Sequence, residues 1–206
     1  MLRALLACLA FVLVTGCSGP KEAVLPAGSR VLALGDSLTA GYGVAPSQAW
    51  PVLMAGRTGW VIVNGGVSGD TSAGALGRLP ALLDEHRPAL VLVTLGGNDM
   101  LRKVPQDITV ANLGAILALI KAHGAKAVLI ATPKPSVAGA AFRNLSAADF
   151  YRTVAAGHIV PLIDDAIADV LSDPLMKSDP LHPNVAGHVL LEKKLHAALK
   201  KFGFSP

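Results

Sequence analysis

The sequence predicts an α/β fold in three layers, with a parallel sheet of about five strands between two sets of helices. Two observations carry that expectation. Short apolar runs alternate with longer segments of helical period from Val31 to the C-terminus, which is the pattern of strands joined by crossover helices. The apolar runs are also nearly continuous rather than alternating with polar residues, as strands covered on both faces are. The chain has 206 residues and is 52% apolar, enough for one domain with one sizeable core.

The elements follow in order. Val31–Leu34, Val61–Val63, Leu90–Leu95, Ala127–Ala131 and Ile159–Ile163 read as strands bounded by Gly, Pro or polar residues. Between them, Gln48–Arg57, Ala73–His86, Val110–His123 and Ala147–Ala156 read as helices. In the last of these, Phe150, Tyr151 and Val154 share one face. A final helix follows Pro183, tolerated at a helix start, and runs to about Lys201. In such sheets ligands sit at the carboxyl ends of the strands, so the strand tips are where chemistry is expected.

Residues 1–16 are a separate object. "MLRALLACLAFVLVTGC" has one cation, Arg3, an apolar run from Ala4 to Val14, then small residues. The run is too short to span a bilayer and has the flanks of a secretory signal that is removed. "VTGCS", Val14 to Ser18, resembles the lipobox of bacterial lipoproteins. That resemblance implies that Cys17 is lipidated and becomes the mature first residue, on the periplasmic face of the envelope. Ser18 in the next position resembles lipoproteins sent on to the outer membrane. Of the two cysteines, Cys8 lies in the removed segment, so no disulfide is expected. Residues 17–29 then read as the lipidated cysteine and a Gly-, Pro- and Ser-containing tether, and residues 30–206 as the folded domain.

The formal charge of +4 falls by one when Arg3 leaves. Its cations cluster only at Lys193-Lys194 and Lys200-Lys201 on the outer face of the final helix. A solvated face is the expectation there, weak attraction to an anionic membrane is the alternative, and nucleic-acid binding is not indicated.

Four blocks at strand ends carry polar groups. "GDSLT" places Asp36 and Ser37 after the first strand, where Ser37 suits either a helix cap or a nucleophile. "VIVNGGVSGDTSAG" ends the second strand in glycines, with Gly69 allowing close backbone approach and Asp70 or Thr71 able to cap a helix. "LVLVTLGGNDM" displays Asn98 and Asp99 at the third tip, where Asn98 is an amide donor or a cap. "SDPLHPN" sets Asp179 three residues before His182, close enough to pair in a turn that Pro180 and Pro183 stiffen. The other histidines lie in helical or connecting positions without such a neighbour. No Cys/His cluster has metal-ligand spacing, and no cofactor is expected.

Together the four blocks resemble the GDSL, or SGNH, hydrolase family, over about Val31 to the C-terminus. "WPVLMAGR", "GDTSAGALGRLPALL", "LGGNDMLR" and "LHPN" are similar to its branch of small periplasmic acyl-thioesterases, lysophospholipases and arylesterases. The resemblance implies the family's flavodoxin-like sheet and a serine esterase acting on acyl or aryl esters, thioesters or lysophospholipids. By the same resemblance Ser37 is the nucleophile, His182 the base and Asp179 the triad acid. The backbone N–H groups of Ser37 and Gly69 and the Asn98 amide form the oxyanion hole. Asp36 is expected to order the turn that aims Ser37. Asp99, Arg102, Val137, Phe142 and Leu181 are expected at the substrate pocket. The G-x-S-x-G turn of α/β-hydrolases is absent, which a triad does not require.

Two other readings stand beside this one. One is a carbohydrate O-acetylesterase working on peptidoglycan or another envelope glycan. The other is a non-catalytic envelope lipoprotein that keeps the fold as a binding module. A monomer is expected in each case.

Overall fold

The computed structural model describes residues 22–136, 139 and 144–205. Five strands, β1 (Arg30–Gly35), β2 (Val61–Gly66), β3 (Leu90–Thr94), β4 (Lys126–Ile130) and β5 (Leu162–Ile163), form one parallel sheet in the order β2-β1-β3-β4-β5. The longer helices are α2 (Trp50–Thr58), α3 (Ser72–His86), α5 (Gln106–Ala122), α6 (Phe150–His158), α7 (Ala166–Ser172) and α8 (Val185–Phe202). Two short helices, α1 (Ser37–Ala40) and α4 (Gly97–Leu101), start directly at the tips of β1 and β3.

Successive strand residues point to opposite faces, and both faces are covered. Leu32, Leu34, Val91, Val93 and Leu129 pack on one side with Leu79 of α3, Leu113 and Ile116 of α5 and Val154 of α6. Val31, Ala33, Leu90, Leu92 and Val128 pack on the other with Trp50 and Met54 of α2, Ile167 of α7 and Leu191 and Leu195 of α8. This double burial is why the strands read as continuous apolar runs.

Register fixes where the site lies. Gly35 pairs with Gly66 on one neighbour and with Thr94 on the other, so three strand tips end in one row. The chain leaves β1 toward opposite edges of the sheet on its two sides, so β1 and β3 flank a topological switch point. A side chain at Gly66 would run into the backbone of Ala40, so glycine is what lets α1 sit against the β2 tip.

Some boundaries differ from expectation. Ile159 is not in β5: it caps α6 in the left-handed conformation (φ 55°) and is 90% exposed. Only Leu162 and Ile163 pair with β4. Helix α7 has no counterpart among the expected helices. The segment expected as tether is bonded to the domain from Glu22 onward. Glu22 N–H donates to the Phe202 carbonyl (3.0 Å) and Leu25 N–H to that of Phe204 (2.9 Å). The Leu25 carbonyl accepts the Trp60 indole N–H at 3.2 Å. The expected signal, Cys17 and residues 18–21 lie outside the described residues. Among the described residues no helix is long and apolar enough to cross a membrane.

His188 is a buried titratable group in this frame. Its Nδ1 accepts the Trp50 backbone N–H at 3.4 Å, and its Nε2 is buried with no partner among the described residues. Burial, with help from the charge of His182, pushes its pKa down to about 4. The unfolded chain therefore binds more protons at this site between pH 4 and 6.5, and stability drains away as pH falls through that window. Asp36, raised to about 6 by burial, acts with the opposite sign. In denaturant titrations at pH 7 and 4.5, His188→Gln should lose about 2–3 kcal/mol less than the parent on acidification. Equal acid losses in the two proteins would remove His188 as the source.

Candidate active site

Ser37 begins where β1 stops. Asp36 is the cap of α1, its Oδ1 accepting the Leu38 N–H at 3.0 Å, so Ser37 is not the capping residue and its hydroxyl is free to point outward. That hydroxyl lies 2.9 Å from His182 Nε2. On the other side of the imidazole, Nδ1 is 2.8 Å from Asp179 Oδ2 and 3.0 Å from Oδ1. With the carboxylate on Nδ1, the neutral ring carries its proton there and offers Nε2 as an acceptor to serine.

The turn holding this pair is tightly bonded. Asp179 Oδ1 also accepts the backbone N–H groups of Leu181 (2.7 Å) and His182 (2.9 Å). Burial alone would raise the Asp179 pKa, but those N–H groups and the imidazole outweigh it and hold the carboxyl below its usual range. Asn184 caps α8 by accepting from Gly187 N–H (2.9 Å) and donates its amide to the Leu175 carbonyl (2.9 Å). Ser178 N–H donates to the His182 carbonyl at 3.0 Å, and Lys177 bridges to Pro183, so the segment folds back as a closed loop. Tyr42 lies against the imidazole with ring centroids 4.5 Å apart.

Beside the backbone N–H of Ser37, two further tips bring N–H groups to the cavity that the serine lines, from Gly69 and from the Asn98 side chain. The backbone N–H groups of Ser37 and Gly69 have no acceptor among the described residues. Gly69 has a φ of 80°, and its carbonyl, in the peptide that follows, accepts Arg102 Nη2 at 2.7 Å. Asn98 stands in the first turn of α4 and caps nothing, since Gly96 is the cap and no side chain bonds there. Instead the Asn98 amide donates to Asp36 Oδ2 at 3.2 Å, leaving its second N–H for another acceptor. Asp36 is 2% exposed. Burial raises its pKa to about 6, against the pull of the Leu38 N–H and His182. Tyr151, beneath this tip, donates to the Leu95 carbonyl (2.6 Å) and bonds Thr132 (2.7 Å). A side chain at Gly96, where φ is 107°, would strike that phenol.

Arg78 of α3 links the tip of β1 to the glycine loop after β2. Its Nε donates to Asp70 Oδ2 at 2.8 Å and its Nη2 to the Gly35 carbonyl at 3.1 Å. Thr71, not Asp70, caps α3 through Gly74 N–H. Because the guanidinium spans both donors' supports, Arg78→Gln should lower kcat about 10- to 100-fold with KM nearly unchanged, as a slight misplacement does. A variant with intact kcat and only a lower Tm would make the pair a stability feature.

A cavity of about 680 Å³ opens at the triad, in the range that encloses a drug-sized molecule. Ser37, Gly69, Asn98 and His182 line it, with Leu38, Tyr42, Leu101, Leu145, Leu171 and Leu181 as apolar wall. Of the expected pocket residues, Leu181 lines the cavity, while Val137 and Phe142 lie outside the described residues. Asp99 does not line it. At 1% exposed, it accepts both the N–H and the hydroxyl of Ser72, tying α4 to the start of α3. Arg102 sits outside the lining on the Gly69 carbonyl. Tyr42, Leu145 and Leu171 were not singled out from sequence. Tyr42, five residues beyond Ser37 and between two glycines, had a readable signal, whereas the two leucines had none. Among the described residues no three His, Cys, Asp or Glu side chains are grouped to hold a metal.

Serine, imidazole and carboxylate in hydrogen-bonded line at the rim of a parallel sheet define the serine-hydrolase class of site. Residues 33–190 match the model of the GDSL-like lipase/acylhydrolase family, and the chain belongs to it. It is 36% identical over 209 residues to esterase TesA of Pseudomonas aeruginosa, covering 97% of this chain and 98% of that one. It is 40% identical over 163 residues to thioesterase 1/protease 1/lysophospholipase L1 of Escherichia coli, covering 77% of each. An arylesterase of Vibrio mimicus is 36% identical over 168 residues, 79% of this chain and 84% of that one. The crystal structure of TesA superposes with a TM-score of 0.76 at 35% identity, covering 84% of this chain and 99% of that chain. Esterase EstA from Pseudoalteromonas sp., crystallised inhibited by monoethylphosphonate, gives 0.73 at 29% identity, covering 84% and 98%.

Proposed function

We propose that the chain is a serine esterase that hydrolyses carboxylic esters with an apolar acyl or aryl group through an acyl-enzyme. The observation that carries this is the 2.9 Å contact of Ser37 with His182 at the mouth of an apolar cavity. His182 Nε2 takes the hydroxyl proton as Ser37 Oγ attacks the ester carbonyl, and Asp179 stabilises the imidazolium that forms. The carbonyl oxygen, now anionic, is met by the N–H groups of Ser37 and Gly69 and by the free N–H of Asn98. Collapse breaks the bond to the leaving alkoxide or thiolate, which takes the proton from His182. Water then repeats the steps on the acyl-serine, releasing the acid and restoring Ser37. No step calls for a metal or cofactor.

The relatives' names support the class: one is an arylesterase, one an esterase, one a thioesterase and lysophospholipase. We further infer that residues 1–16 are a removed signal, that Cys17 carries lipid, and that the enzyme works on the periplasmic side of a bacterial envelope. The apolar run ending in "VTGCS" supports this. Hydrolysis of nitrophenyl esters from acetyl to dodecanoyl tests the substrate class. Rates should rise from acetyl into medium-length acyl chains, because the apolar part of the cavity wall is mostly leucine and proline. An acetyl-only profile would transfer the assignment to the carbohydrate O-acetylesterase reading.

A further inference from the structure

The catalytic mouth and the start of the folded chain lie at opposite poles of the sheet. The triad and oxyanion donors stand beyond the carboxyl ends of β1, β2 and β3. The first described residues are bonded at the amino ends. Gly28 N–H donates to the Gly59 carbonyl just before β2, and Glu22 pairs with Lys126 (3.1 Å), the first residue of β4. Helix α8 connects the two poles. It starts three residues after His182 and ends at Phe202, whose carbonyl accepts from Glu22 (3.0 Å). Its 18 residues span about 27 Å at the helical rise.

Cys17 is separated from Glu22 by four residues, Ser18 to Lys21. Fully extended, five steps of chain reach about 17 Å. That is shorter than the distance from the tether pole to the catalytic pole. The tether pole also carries exposed Arg30, Arg87, Lys121, Lys126, Lys200 and Lys201, against Glu22, Asp84 and Glu85. Such a face is drawn to anionic headgroups.

We propose that the anchored enzyme holds its basic pole on the membrane and its catalytic mouth away from it, so that its substrates are esters delivered through the aqueous phase and not lipids packed in the anchoring bilayer. The inference rests on Cys17 bearing the lipid and on the esterase reading above.

The test uses the lipidated full-length mature protein in vesicles of phosphatidylethanolamine and phosphatidylglycerol. Two probes share one aryl butyrate: one is free in solution, the other is joined by a short spacer to a phosphatidylethanolamine headgroup in the same vesicles. A companion variant carries a 24-residue Gly/Ser insertion after Lys21, adding an r.m.s. span of about 27 Å. Both proteins should cleave the free ester equally, and the insertion should speed cleavage of the bilayer-held ester at least about tenfold. Equal rates on the bilayer-held ester with and without the insertion would overturn the orientation. Absence of palmitate label on Cys17 would overturn it too, by removing the anchor, while leaving the esterase reading intact. Failure to cleave either ester, with label present, would instead sink the esterase reading and the substrate assignment with it.

Discussion

Ser37→Ala is expected to lower kcat on nitrophenyl esters by about 10⁴-fold or more while leaving the fold in place. The hydroxyl lies 2.9 Å from the imidazole Nε2 at the mouth of the cavity, and it is not the cap of its helix. Its removal should therefore cost the chemistry almost entirely and stability by no more than about 0.5 kcal/mol, as a partly exposed site does. Two measurements check this: steady-state rates above the no-enzyme background, and the midpoint of urea unfolding. A phosphonate ester adds a third, since it should stoichiometrically label the parent and not the variant. Ser68 and Ser136 also line the cavity, but neither is bonded to an imidazole, and the Ser136 hydroxyl already accepts Gly139 N–H at 2.9 Å. Substantial activity and labelling in pure Ser37→Ala would move the nucleophile to one of those two and dissolve the mechanism built on His182.

The parts of the site that could be read from sequence are those whose signal is local. A buried strand breaking into glycine and a short polar residue is visible at Gly35-Asp36-Ser37, at Gly66 to Gly69 and at Gly96-Gly97-Asn98, because each tip must turn sharply within a few residues. The Asp179–His182 pair is local too, three residues apart in a proline-stiffened turn. What stayed hidden depends on packing between distant segments. Asp99 reads as a rim residue by its place beside Asn98, yet the helical turn of α4 carries it inward to Ser72, 27 positions away. The Arg78 bonds cross from α3 to a strand tip 43 positions earlier, and nothing in the spacing of α3 singles that arginine out. Ile159 reads as strand by its side chain, but the end of α6 claims it as a left-handed cap and β5 shrinks to two residues. Helix α7 follows so short a strand that its apolar residues merged with no recognisable period.

The role of Asn98 separates a catalytic amide from a structural one, and the bond to Asp36 sharpens the expectation. One amide N–H is committed to Asp36 Oδ2 at 3.2 Å, which holds the planar group and leaves the other N–H available at the cavity that Ser37 also lines. If that second donor meets the oxyanion, its contribution appears in the transition state and not in substrate binding. Asn98→Ala should then lower kcat and kcat/KM together by about 100- to 1,000-fold, with KM nearly unchanged. A cost to folding comes with it. Asp36 loses one partner but keeps the Leu38 N–H, so unfolding should be eased by about 1–3 kcal/mol. Asp36→Ala provides the contrast, since it leaves the amide present but unaimed and should fall less in kcat than Asn98→Ala. The two substitutions together should be far from additive, because the carboxylate acts on the reaction through the amide. An Asn98→Ala protein that melts lower yet turns over at the parental rate would confine the amide to holding Asp36. The oxyanion would then be left to the two backbone N–H groups of Ser37 and Gly69.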